Sequence, residues 1–142
     1  MSTAVMPDMK SLEVLIKSPP EENWVTLDRT GGVRVNTLYE NKETGASIAL
    51  LHFPKGTGIP VRHKHASNQF MYVLKGRYEY TAPKSLVLEE GSFYMNPKGA
   101  YHGPTRALEE SWMLEIYDGP HYDEIPAFHT KETVGKVVNA SD

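Results

Sequence analysis

The residues whose types and spacing suit chemistry are the pair His63-Lys64-His65 and, further along, His102. On a helix, residues two apart point about 200° away from each other and could hardly share an ion. On a strand they share a face, roughly 6.6 Å apart along the chain. Pro60-Val61 before the pair and Ala66-Ser67-Asn68 after it favour extended chain, so both imidazoles can converge on one metal ion. Alone, the pair reads more simply as two solvent-facing or pocket-lining histidines, and its surroundings decide its meaning. The chain has no cysteine and six histidines. That excludes disulfides, thiolate nucleophiles, cysteine-held iron–sulfur clusters and cysteine zinc sites. Any transition-metal chemistry must rest on imidazole and oxygen ligands.

These residues need a scaffold. The 142 residues are one domain's worth, 39% hydrophobic and 23% charged, ordinary for a globular protein. Short runs rich in strand-forming residues alternate with turn residues: Val33–Tyr39, Ser47–Phe53, Phe70–Leu74, Arg77–Thr81 as its hairpin partner, Leu86–Leu88, Ser92–Met95 and Ser111–Tyr117. Strands at this spacing predict an all-β sandwich or barrel. The expected organisation is an N-terminal arm over 1–22, a barrel over 23–120, and a C-terminal extension over 121–142 that packs on the barrel or at a subunit interface. The net charge of −3 offers no attraction for nucleic acid or anionic lipid. No run approaches the ~18 apolar residues of a membrane span, and the first residues do not read as a signal peptide. The expected location is the cytoplasm, with neither nucleic acid nor membrane as a partner. Thr30-Gly31-Gly32 lacks the Gly-Lys-Ser/Thr ending of a phosphate-binding loop.

Beyond His65 stand Gln69 and Gly76, and Gly91 is followed at motif spacing by Pro97, Gly99 and His102. In this the chain resembles the cupin superfamily. Its first motif runs glycine, five residues, H-x-H, three or four residues, glutamate, six residues, glycine. Its second runs glycine, five residues, P-x-G, two residues, histidine, three residues, asparagine. The match spans about Gly56 to Arg106, and the flanking strand-like runs suit a whole single-domain cupin, a double-stranded β-helix or jelly-roll barrel. The resemblance implies that His63, His65 and His102 hold one divalent transition metal per chain, Fe(II) favoured, with Zn, Ni and Mn as alternatives.

The chain departs from the pattern in three places. Gly58 and Gly56 each miss the opening glycine position by one residue, and Arg106 stands where the second motif has asparagine. The glutamate ligand is replaced by Gln69, with Phe70 at the other allowed spacing. Three neutral imidazoles leave a divalent ion at +2, which favours an anionic bidentate substrate such as an enolate. Gln69 is then either a weak carbonyl ligand, a group orienting substrate, or a plain polar residue at a strand start.

Three-histidine cupins without the glutamate include thiol dioxygenases and β-diketone-cleaving (acetylacetone) dioxygenases. The short chain and the runs Gly76-Arg77-Tyr78-Glu79 and Gly99-Ala100-Tyr101-His102-Gly103 look most like the ketone-cleaving group. That resemblance implies a non-haem iron oxidoreductase acting on a β-diketone or related oxygenated ketone. The enolate would chelate the metal, O2 would add to its electron-rich carbon, and C–C cleavage would leave a carboxylate and a carbonyl fragment. The partners expected are substrate, O2 and further copies of the chain, as a homodimer or homotetramer. Two rivals stay open: a non-catalytic metal-binding cupin that senses a small ligand, and a metal-dependent isomerase.

Around the triad, Gln69, Glu115 and Glu79 are the candidate catalytic groups, the two glutamates as replacements for the missing acid. Met71, Thr105, Arg106, Met113 and Tyr117 are the candidate pocket residues. If Gln69 faces inward, period two turns Met71 and Val73 inward too. His52 reads as a satisfied core or interface histidine, and His121 and His129, in the tail, as surface residues.

Overall fold

The structure, a computed structural model, describes residue 16 and residues 18–139. Most of the expected N-terminal arm, and the last residues of the C-terminal extension, lie outside them. After a 3-10 turn at Glu21–Asn23 come nine strands: β1 (Trp24–Thr26), β2 (Arg34–Glu40), β3 (Ser47–Phe53), β4 (Gln69–Lys75), β5 (Arg77–Tyr80), β6 (Leu86–Glu89), β7 (Phe93–Asn96), β8 (Thr105–Ala107) and β9 (Ser111–Tyr117). The described residues contain no α-helix. The strands form two antiparallel sheets, ordered β1-β2-β3-β9-β4-β7 and β6-β5-β8, so the fold is the expected all-β jelly roll.

Strand periodicity explains the interior. In the large sheet, Leu51 and Phe53 of β3, Met71 and Val73 of β4, and Met113 of β9 point inward and are buried. They meet Tyr78, Tyr80 and Leu88 of the small sheet in one core, with the Phe53 and Tyr78 rings 4.6 Å apart. Each such side chain contributes about 1.5–3 kcal/mol on burial, and together they hold the two sheets face to face. The opposite face of the large sheet is also apolar but open: Tyr72, Phe93 and Met95 are exposed. Aromatic residues near the motifs therefore divide between core and outer surface.

The expected hairpin between Phe70–Leu74 and Arg77–Thr81 does not form. β4 pairs with β7 and β9, whereas β5 pairs with β6 and β8. Gly76 is instead the corner at which the chain crosses between sheets. It has φ +103°, and a Cβ there would collide with the Glu110 carbonyl and the Ser111 hydroxyl. Only glycine satisfies both conditions without strain. Among the described residues beyond β9 there is no strand, only one bridge between Tyr122 and Val137. It folds back over the barrel, where Tyr122 and Phe128 join the core.

Candidate metal centre

His63 and His65 lie in the extended segment before β4 rather than in a strand, and His102 follows the turn after β7. One antiparallel bridge joins the two segments. The His63 amide donates to the His102 carbonyl at 2.9 Å, and the His102 amide donates back at 2.8 Å. Of the two displaced glycines, Gly58 is the closely packed one, for a Cβ there would collide with the Thr105 carbonyl.

The three rings converge through their Nε2 atoms. His102 Nε2 lies 3.1 Å from His65 Nε2 and 3.1 Å from His63 Nε2. The outer nitrogens face oxygen acceptors: His63 Nδ1 the Val61 carbonyl at 2.9 Å, His65 Nδ1 the His121 carbonyl at 3.2 Å, and His102 Nδ1 the Tyr94 hydroxyl at 3.2 Å. The two carbonyls can only accept, so protons sit on Nδ1 of His63 and His65, and their Nε2 lone pairs face inward. Acceptor nitrogens cannot hydrogen-bond one another; a cation between them turns that repulsion into ligation. The spacing suits one. Metal–nitrogen bonds of about 2.0–2.1 Å meeting at right angles put ligand nitrogens about 3 Å apart. Burial lowers the pKa of all three rings, and mutual repulsion lowers those of His65 and His102 further, His102 to about 3. The residues therefore fit a divalent transition metal held by three imidazoles.

A carboxylate from another strand stands beside Gln69. Gln69 pairs with Tyr117 across β4 and β9, and Met71 with Glu115. Gln69 and Glu115 are thus diagonal neighbours on one face. The Gln69 amide donates to Glu115 Oε2 at 2.6 Å, and the Tyr117 hydroxyl donates to the same oxygen at 3.2 Å while lying 3.2 Å from His65 Nδ1. Burial pushes the Glu115 carboxyl up to about 7, against these two hydrogen bonds, which lower it. The Gln69 carbonyl oxygen is buried, with no hydrogen-bond partner among the described residues.

A cavity of about 630 Å3 opens beside the three histidines. Of the candidate catalytic groups Gln69 and Glu115 line it, and of the candidate pocket residues Met71, Thr105 and Tyr117. Three other expectations are corrected. Glu79 lies on the outward face of β5 and pairs with Arg106 at 3.6 Å, and neither lines the cavity. The reason is strand parity: Tyr78 and Tyr80 take the inward positions. Met113 does point inward, but it sits opposite Val73, deeper in the core, and does not line the cavity. His52 is satisfied, between Arg34 and Glu110, on the outer face.

The tail histidines are not surface residues. His121 stacks on Tyr117 with centroids 3.8 Å apart, and its Nε2 meets the Ser47 hydroxyl at 2.7 Å. His129 also lines the cavity, as do Phe128 and Tyr122. No motif spacing marks these residues. The available signal was the pairing of each histidine with an aromatic neighbour, His121-Tyr122 and Phe128-His129, just after the last strand.

Comparison with known proteins agrees with this picture. The model of the ChrR cupin-like domain matches residues 13–121. An uncharacterised protein of Aquifex aeolicus (strain VF5) is 31% identical over 118 residues, which cover 82% of this chain and 87% of the relative. Among solved structures, an acetylacetone dioxygenase from Acinetobacter johnsonii superposes with a TM-score of 0.68 at 22% identity, covering 87% of this chain and 85% of that one. The structure of Rhodobacter sphaeroides SigE in complex with the anti-sigma ChrR gives 0.53 at 26% identity, covering 67% of this chain and 48% of that one. No described helix is long and apolar enough to cross a membrane. Motif spacing, jelly-roll topology and three converging imidazoles lead to one conclusion: the chain belongs to the ChrR cupin-like family and is a cupin with a three-histidine site.

Proposed function

We propose that the protein is an Fe(II)-dependent dioxygenase that cleaves a C–C bond of a β-diketone or related oxygenated ketone with O2. The observation that carries this is an all-imidazole donor set at the edge of a large cavity, with the Glu115 carboxylate reaching it through the Tyr117 hydroxyl rather than directly. Likeness of fold to the acetylacetone dioxygenase supports it. A divalent ion held by His63, His65 and His102 would supply positive charge that favours the enolate over the neutral ketone, with positions open to substrate and O2.

The chain's own residues do the rest. Glu115 receives the proton lost when the diketone becomes an enolate. Its Oε2 is engaged by Gln69 and Tyr117, while Oε1 carries no hydrogen bond among the described residues. A carboxyl raised to about 7 is poised to take up and release that proton near neutral pH. Gln69 is a positioning residue: its amide is tied to Glu115, which leaves its carbonyl oxygen, unpartnered among the described residues, to accept from a donor on the substrate. Met71 and Phe128 keep the cavity apolar beside the histidines, and Thr105 Oγ1, tied to the Tyr78 hydroxyl at 2.5 Å, is a fixed polar point on its wall. The exposed strip of Tyr72, Phe93 and Met95 on the large sheet suits a second copy of the chain, in a homodimer or homotetramer.

The test is anaerobic loading with Fe(II), then O2 uptake with a panel of small diketones. Uptake matched by carboxylate formation is the expected result. No uptake with any chelating ketone at full iron occupancy would overturn the dioxygenase reading. The family match and the likeness to ChrR support a second reading, a metal-binding cupin that senses a small ligand. It predicts ligand binding without O2 consumption.

A further inference from the structure

The register across the large sheet sorts its inward side chains into rows. Gln69, Tyr117 and Ser47 stand abreast on β4, β9 and β3. Met71, Glu115, Ala49 and Thr37 form the next row, which continues onto β2. Val73, Met113, Leu51 and Val35 form the third. Successive rows are two residues apart along the strands, about 6.8 Å. The first row is polar and meets the metal centre, where the Tyr117 hydroxyl lies 3.2 Å from His65 Nδ1. The third has no nitrogen or oxygen in its side chains. Between them, Ala49 is buried, pairs directly with Glu115 and is the smallest side chain of its row. Alanine there leaves a gap between Glu115 and Leu51.

The cavity follows that gap. At the β4–β9 end of the third row, Val73 and Met113 close into the core, whereas at the β3–β2 end Leu51 and Val35 line the cavity. Leu27, Val33, Phe128 and Val134 line it too, and all six belong to, or pack against, one hydrophobic cluster. The Asp28 amide holds the tail there by donating to the Phe128 carbonyl at 3.1 Å. Phe128 also borders the metal centre, its ring 5.3 Å from that of His63. The charged wall residues Glu22, Lys42, Lys131 and Glu132 are exposed, so they belong to the mouth. Deeper in, the Ser47 hydroxyl is engaged by His121, and the Thr105 hydroxyl by Tyr78 and the Ile59 amide. The compartment beyond Ala49 is therefore apolar.

It is also more than a small diketone needs. Pentane-2,4-dione, with seven non-hydrogen atoms, occupies on the order of 150 Å3 at protein packing density. That is about a quarter of the 630 Å3 cavity. Adding a phenyl group brings the ligand to on the order of 250 Å3, which the cavity still holds. We propose that the substrate bears a bulky apolar substituent, of about phenyl size, and that Ala49 is the specificity-determining residue that admits this group to the compartment of Leu51 and Val35. The chelating end of this substrate rests on the function proposed above; the apolar compartment does not.

The probes are pentane-2,4-dione and 1-phenylbutane-1,3-dione, titrated calorimetrically into full-length protein loaded with Ni(II), so that binding is read without turnover. The phenyl compound should bind at least about tenfold more tightly, from burial of its ring. Ala49→Leu should bring that ratio close to one while leaving the affinity for pentane-2,4-dione unchanged. Val35→Phe, a row further from the histidines, fills the compartment from its far end and should do the same. No preference in the unsubstituted protein, or a preference that survives both variants, overturns the proposal. If Ala49→Leu weakens both ligands equally, Val35→Phe decides: a ratio near one supports the compartment, and an unchanged ratio overturns it. If neither dione binds the metal-loaded protein, the chelating reading fails, and butylbenzene, which cannot chelate, tests the compartment in metal-free protein through the Ala49 methyl resonance. A shift that Val35→Phe abolishes supports the compartment, and no shift overturns it.

Discussion

Glu115→Gln tests whether the carboxylate beside the metal centre is as desolvated as the barrel makes it. Burial raises this carboxyl from 4.5 to about 7. Between those values the folded protein holds a proton that the unfolded chain has released. Stability is therefore lost as pH rises through that window, and below pH 4.5 both states are protonated and the effect vanishes. A gap of about 2.5 pH units at about 1.4 kcal/mol each gives about 3 kcal/mol. Glu115 retains some surface toward the cavity, so that figure is a ceiling. Glutamine keeps an acceptor for Gln69 and Tyr117 and does not titrate. His63, His65, His102, His121 and His129 all have lowered pKa values and act in the opposite sense, adding stability as pH rises toward 6.5. Subtracting the two proteins' curves removes their contribution. Urea unfolding of metal-free protein, followed through Trp24 and Trp112, should show nearly equal stabilities near pH 4.5. By pH 8 the variant should be more stable by up to about 3 kcal/mol. A difference that is flat with pH, or a less stable variant at pH 8, would refute the reasoning.

Four further outcomes are expected. His102→Ala should lower bound metal by roughly tenfold or more, measured as metal per chain after desalting; full stoichiometry would reject the ligand set. Gln69→Glu places a second carboxylate 2.6 Å from Glu115, so the two must share a proton. Affinity of the Ni(II)-loaded protein for the pentane-2,4-dione enolate should fall on the order of tenfold, and unchanged affinity would remove the charge argument. Gly76→Ala must accommodate both a positive φ and a collision with β9, and should cost at least about 2 kcal/mol in urea unfolding. Phe93→Lys, on the exposed outer face, should lower the sedimentation coefficient if that strip joins two copies; an unchanged oligomer would place the interface elsewhere.

The strands with clear period-two runs and turn residues at their ends were legible in the sequence, and β3 and β9 fall on their expected bounds. β8 escapes notice in the sequence because Thr105-Arg106-Ala107 is too short to display alternation. Lys75-Gly76 looked like a hairpin turn because local signals cannot distinguish a reversal within one sheet from a corner between two. Glu79 and Arg106 face away from the site because strand parity gives the inward positions of β5 to Tyr78 and Tyr80.

By itself the sequence determined the chemistry of the metal centre: no thiolate is available, the spacing singles out His63, His65 and His102, and Gln69 stands where an acid is usual. Covalent spacing along an extended chain suffices for that, because residues two apart share a face wherever the chain goes. Only the tertiary structure decided which carboxylate stands beside Gln69 and what lines the cavity. Glu115 reaches Gln69 through the register between β4 and β9, and His129 reaches the barrel because the tail folds back onto it. Both depend on contacts between segments distant in the chain, where packing and burial rather than local pattern choose the partner.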